Sequence, residues 1–126
     1  MPRRVVAVAP DLFFAARIAQ TAKLPGGELQ TAAPGQALEL CRAEPPDLVI
    51  LDLEAVAGSA ELVRRIKADP ALAPVRLVGF CSHVDTELRR SALQAGADQV
   101  LPRSAFTRHL AEVLSGRPLP QAGRTG

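Results

Sequence analysis

Pro46-Asp47-Leu48-Val49-Ile50-Leu51-Asp52-Leu53 holds four apolar residues in unbroken succession between two acids. Such a run leaves no alternate position for water. It therefore reads as a strand covered on both faces, as the central strands of parallel sheets are. Pro45 and Pro46 end whatever helix precedes it. Asp52 then falls at the carboxyl end of the strand, and open α/β sheets place their ligands outside that end.

Outward from this segment, short apolar runs alternate with helical ones. Strands are expected over 4–9, 29–32, 48–51, 75–80 and 99–101, and helices over 11–23, 35–43, 59–68, 85–95 and 104–114. Leu24-Pro25-Gly26-Gly27 breaks the chain ahead of the weakly apolar second strand, and Gly96 closes the helix over 85–95. Five β-α units predict one α/β domain over 1–114, with a parallel sheet covered by helices on both faces. Residues 115–126, rich in Gly and Pro, predict a disordered tail.

Composition excludes several classes. The chain has 126 residues, 48% of them hydrophobic and 22% charged, which suits one soluble globular domain. Two cysteines, Cys41 and Cys81, are too few for a disulfide-stapled scaffold. No secretory leader is read at the start, and no apolar run reaches membrane-spanning length, so a cytoplasmic protein without membrane contact is expected. The net charge of +2 comes from Arg117 and Arg124. Residues 1–114 carry thirteen charges of each sign and offer no concentrated basic face for nucleic acid. With no Trp, no Tyr and four Phe, a base-stacking platform is also not expected.

The residues following the strands are Pro10 and Asp11, then Asp52, then Cys81, Ser82 and His83, then Pro102 and Arg103. Taken with the Pro-Asp-apolar-apolar-apolar-apolar-Asp segment and Ala95-Gly96-Ala97-Asp98, the pattern over residues 4–114 resembles the receiver domain of two-component response regulators. That resemblance implies a flavodoxin-like, doubly wound (βα)5 sheet of order 2-1-3-4-5. It places Asp52 at the phosphoacceptor position, where an aspartate attacks a phosphoryl group in line and Mg²⁺ neutralises charge.

Much of the implied machinery is altered. The family ends its first strand with a pair of metal-holding acids; Ala9 and Pro10 stand there, and Asp11 is the single acid nearby. Asp11 also reads as an N-cap opening the helix over 11–23. A Thr or Ser is expected at the end of the fourth strand; Cys81 falls there, with Ser82 beside it, and a thiol is a weak donor. Arg103 takes the position of the family's Lys, Ser104 that of its proline, and Val100 that of its aromatic switch residue. Mg²⁺ usually takes one or two carboxylates together with phosphate oxygens. Asp52, even with Asp11, is therefore expected to hold it weakly. Two readings of Arg103 stand side by side: an exposed surface side chain, or a guanidinium lying over Asp52 in place of the metal, since such a fork clasps a carboxylate bidentately.

Other candidates have plainer readings. His83 is expected to be an exposed loop residue, and His83 and His109 share no metal-ligand spacing. Ser82-His83-Val84-Asp85 with Glu87 reads as a helix start. Cys41 lies on the apolar stripe of the helix over 35–43. Arg64, Arg65 and Lys67 are expected on the solvated face of one helix, and Arg89 and Arg90 on that of another.

The leading expectation is a stand-alone, atypical receiver: not an enzyme, but a protein-interaction module with weak or absent Mg-dependent phosphorylation. The resemblance implies partner contacts on the face formed by the helix over 85–95, the strand over 99–101 and the helix over 104–114, here Arg89, Arg90, Leu93, Val100 and Arg108. A homodimer is compatible with this reading. The alternative is a competent response regulator phosphorylated on Asp52 by a histidine kinase. A nucleotide- or flavin-binding protein is disfavoured, because the first strand leads into Ala-Pro-Asp-Leu-Phe-Phe, not a glycine-rich phosphate loop.

Overall fold

The computed structural model describes residues 4–9 and 28–115. The helix expected over 11–23, with Pro10 and Asp11, and the tail from 116 onward lie outside the described residues. Within them the strands are β1 (Arg4–Val8), β2 (Glu28–Thr31), β3 (Leu48–Asp52), β4 (Arg76–Cys81) and β5 (Gln99–Pro102). The helices are α1 (Ala37–Ala43), α2 (Ser59–Ala68), α3 (Thr86–Ala95), α4 (Arg103–Arg108) and α5 (Leu110–Leu114). The five described strands form one sheet in the order β2-β1-β3-β4-β5, and every neighbouring pair is parallel. This is the flavodoxin-like topology expected above.

The apolar run decides the layering. Every residue of β3 is buried, and alternate side chains serve two cores. Val49 and Leu51 join Val6, Val63, Ile66, Leu77 and Ala92 on one face; Leu48 and Ile50 join Val5, Val78, Phe80 and Phe106 on the other. β3 pairs with β4 such that Asp52 lies opposite Phe80. Gly79 of β4 is needed for a close approach, because a Cβ there would stand 2.9 Å from Leu53 Cδ1. The Leu53 side chain therefore packs directly on the β4 backbone.

The Ala95-Gly96-Ala97-Asp98 motif acquires a physical reason. Gly96 ends α3 at φ 118°, a conformation that favours glycine. Asp98 then accepts a hydrogen bond from Leu77 N at 2.7 Å and pairs with Lys67 Nζ at 2.7 Å. The motif turns the chain and clamps β5 beside β4.

Several expectations shift. β1 ends at Val8, one residue early, and β4 runs one residue later than expected because Val75 is held in a turn by its bond to Leu72 O. α1 is preceded by a 3₁₀ turn over Pro34–Gln36, with Pro at its start. The helix expected over 104–114 divides at His109, whose φ and ψ of −111° and 30° leave the helical region. No Gly or Pro marks that break. Phe106, Leu110, Val113 and Leu114 all sink into the same core, which is the pattern that read as one helix. Lys67 is not on a solvated face: 16% of its side chain is exposed, and its ammonium donates to Val75 O at 2.5 Å besides pairing with Asp98. Val100 is not a surface contact either. It is 1% exposed because β5 turns it into the core shared with Leu77 and Ala92.

Candidate functional site

Asp52 is 1% exposed at the carboxyl end of the central strand, a costly place for a carboxylate unless its oxygens are satisfied. The loop that follows provides part of that. Oδ1 accepts from Glu54 N at 3.2 Å and Ala55 N at 3.1 Å, the local turn an aspartate makes with the backbone ahead of it. Val56 N closes the turn on Asp52 O at 3.2 Å.

The rest comes from Arg103, the first residue of α4. Its Nη2 lies 3.3 Å from Asp52 Oδ1 and 3.4 Å from Oδ2. The contact differs from the expected two-nitrogen fork: one nitrogen straddles both oxygens, at distances longer than the 2.7–2.9 Å of tight charge-assisted bonds. The guanidinium also stands 5.1 Å above the centroid of the Phe80 ring, and Phe80 stacks on Phe106 at 4.3 Å and 13°. The phenyl pair is the platform that carries Arg103 over Asp52. With 38% of its side chain exposed, Arg103 closes the site like a loose lid.

Glu54, which sequence reasoning passed over, is the other part of the site. Its Oε1 accepts from Ser82 N at 3.0 Å and lies 3.5 Å from Arg103 Nη2. It ties the loop after β3 to the loop after β4. The available signal was its position two residues beyond Asp52, on a loop at the ligand-binding edge.

The remaining expected site residues are placed differently. Cys81 is buried in the core containing Leu53 and Val100, and gives Asp52 no hydrogen bond among the described residues. Burial first, then the charges of Glu54 and Asp85, push its thiol above the ordinary range, against the opposing pull of Arg89 and Arg103. A protonated, covered thiol is a poor nucleophile. Ser82 contributes its N–H to Glu54, and its Oγ accepts from Val84 N at 3.4 Å instead of facing Asp52. His83 is exposed, and Asp85 caps α3 through Leu88 N at 3.3 Å. Asp11 lies outside the described residues.

Among the described residues the donor set does not fit a divalent cation. Ala9 brings no carboxylate to the end of β1, and a guanidinium occupies the space between Asp52 and Glu54. Among the described residues no three His, Cys, Asp or Glu side chains form a group able to hold a metal. None of their helices is long and apolar enough to cross a membrane.

The sheet order and the buried acid ending β3 match the receiver fold of response regulators. Solved structures of that class superpose closely. A response regulator from Hahella chejuensis matches with a TM-score of 0.78 and 20% identity, over 90% of this chain and 92% of that one. The phosphorylated cyanobacterial phytochrome response regulator RcpA matches at 0.74 and 18%, over 92% and 91%. A manganese(II)-bound response regulator matches at 0.74 and 14%, over 95% and 100%. No protein-family profile and no curated protein sequence matches the chain.

Proposed function

We propose that this chain is a signalling module that works by binding a protein partner, with Asp52 held by Arg103 so that Mg-dependent phosphorylation is weak or absent. The single observation that carries the reading is the Arg103 guanidinium resting on both oxygens of the buried Asp52 carboxylate. A phosphoacceptor must present a free oxygen in line with the phosphoryl group, and its charge must be offset during transfer by a cation that also binds the phosphate. Here the cation is a side chain already used on the acceptor. The missing acidic neighbour at Ala9 points the same way.

The partner surface in this reading consists of Arg89, Arg90, Leu93 and Arg108, all exposed; Leu93 is 41% exposed, unusual for a leucine on a short helix. The test is intact-mass spectrometry after incubation with a small phosphodonor, with and without Mg²⁺, using Asp52→Asn as control. The expected result is little or no added phosphoryl mass. Stoichiometric addition that requires both Asp52 and Mg²⁺ would instead establish a competent receiver served by a histidine kinase.

A further inference from the structure

The chain leaves the helical region at His109, between α4 and α5, and this deprives Arg108 of an acid. In an unbroken helix Glu112 would stand four residues on from Arg108 and offer it an ion pair. Instead Glu112 Oε1 is bonded to His109 Nδ1 at 2.9 Å. Other exposed helix arginines keep their acids: Arg42 pairs with Asp69, Arg64 and Arg65 with Glu61, and Arg90 with Glu87. Among the described residues the side chains of Arg89 and Arg108 have no hydrogen bond or ion pair. Arg108 differs from Arg89 in its surroundings. It borders an open hollow of about 570 Å³, lined also by Ser82, His83, Arg103, Ser104 and Thr107, with no carboxylate among them.

We propose that this hollow binds a phosphoryl dianion, free or carried on a small organic molecule, with Arg108 as its principal contact. Arg103 borders the hollow, but its charge is offset by Asp52 and Glu54, and no bond to the anion is asked of it. The uncompensated charge is that of Arg108, whose planar fork presents parallel N–H groups to two oxygens at once. Ser104 and Thr107 stand four residues and one residue before it, so Ser104 shares the face of α4 with both. Each hydroxyl can donate to an oxygen that the guanidinium leaves over. A carboxylate has no such third oxygen; a phosphoryl group does. The volume falls within the range of about 300–1,000 Å³ usual for small-molecule sites and leaves room for an organic body beside the phosphate. This binding involves neither Asp52 nor phosphoryl transfer, and it is independent of the reading above.

The test is a titration of the full chain followed by proton–nitrogen NMR, at constant ionic strength and without Mg²⁺. Inorganic phosphate, glycerol 3-phosphate, acetate and glycerol are the four probes. Neither phosphate compound is a donor strong enough to form an acyl phosphate, so the outcome is separate from whether Asp52 accepts a phosphoryl group. Both are expected to shift the signals of Ser104, Thr107 and Arg108 saturably, and acetate and glycerol are not. Tighter binding of glycerol 3-phosphate identifies an organic phosphate as the occupant, and equal or tighter binding of phosphate identifies the free ion; both support the site. Arg108→Ala is expected to weaken phosphate binding about five- to twentyfold, the effect of one charge-assisted contact, and Thr107→Val about two- to threefold. Arg89→Ala, an equally unpaired arginine away from the hollow, is expected to change nothing. No saturable shift with either phosphate compound, equal losses from Arg108→Ala and Arg89→Ala, or acetate binding as tightly as phosphate overturns the site.

Discussion

At the amino edge of the sheet, Arg4 is 7% exposed and its guanidinium donates to Glu44 O at 3.0 Å and Gln30 Oε1 at 2.8 Å. At the carboxyl edge, Arg103 keeps 38% of its side chain in water and reaches Asp52 only at 3.3–3.4 Å. The same side chain is thus used in two ways on one sheet. Arg4 is a fastener: short bonds to Glu44 O and Gln30 Oε1, both uncharged, in a place water does not reach. Arg103 is a stopper: long contacts, a charged partner and an open flank. An ion pair with one exposed member is worth little to stability, but it is easily exchanged for another.

This contrast can be broken by substitution. The largest loss is expected for Arg4→Ala, about 2–3 kcal/mol in urea unfolding, since it strips several buried bonds and the packing of the aliphatic stem. Lys67→Met tests whether a second locked cation behaves like Arg4. Losing the bonds to Val75 O and Asp98 is expected to cost about 1–2 kcal/mol. Arg103→Ala should cost no more than about 1 kcal/mol, because water can enter where the guanidinium left. Equal losses for Arg4→Ala and Arg103→Ala would erase the distinction.

The smallest effect sharpens the comparison at a half-buried acid. The hydrogen bond to Asp69 from Arg42, followed by that from Ala71 N, holds its carboxyl below the ordinary range. A depressed folded-state value means the stabilisation is complete above the unfolded carboxylate's titration and is lost as pH falls through the lower folded value. Asp69→Asn is expected to flatten this acid-side decline slightly, measured as unfolding midpoint against pH.

How much of this was legible in the sequence differs from element to element. Leu48–Leu51 announced a central strand because two-sided burial needs an unbroken apolar run, and Ser59–Ala68 was legible to the residue. The break at His109 was not, since both pieces pack on one core and keep one periodicity. Val100 and Lys67 were misplaced for a common reason. The family resemblance suggested a partner surface for Val100 and residue type a solvated helix face for Lys67, while the direction of each side chain is set by strand pairing and by the clamp at Asp98. The pairing of Asp52 with Arg103 was one of two readings open from their strand-end positions, the other being an exposed Arg103. The single-nitrogen contact and the bridging role of Glu54 were not, because loop conformation decides them.

The most direct measurement is a double-mutant cycle: urea unfolding of the parent chain, Asp52→Ala, Arg103→Ala and the double variant, at low and high salt. The account predicts a favourable coupling of about 0.5–1.5 kcal/mol that shrinks as salt rises. A coupling of zero would contradict it, for Arg103 would then not hold Asp52 at all.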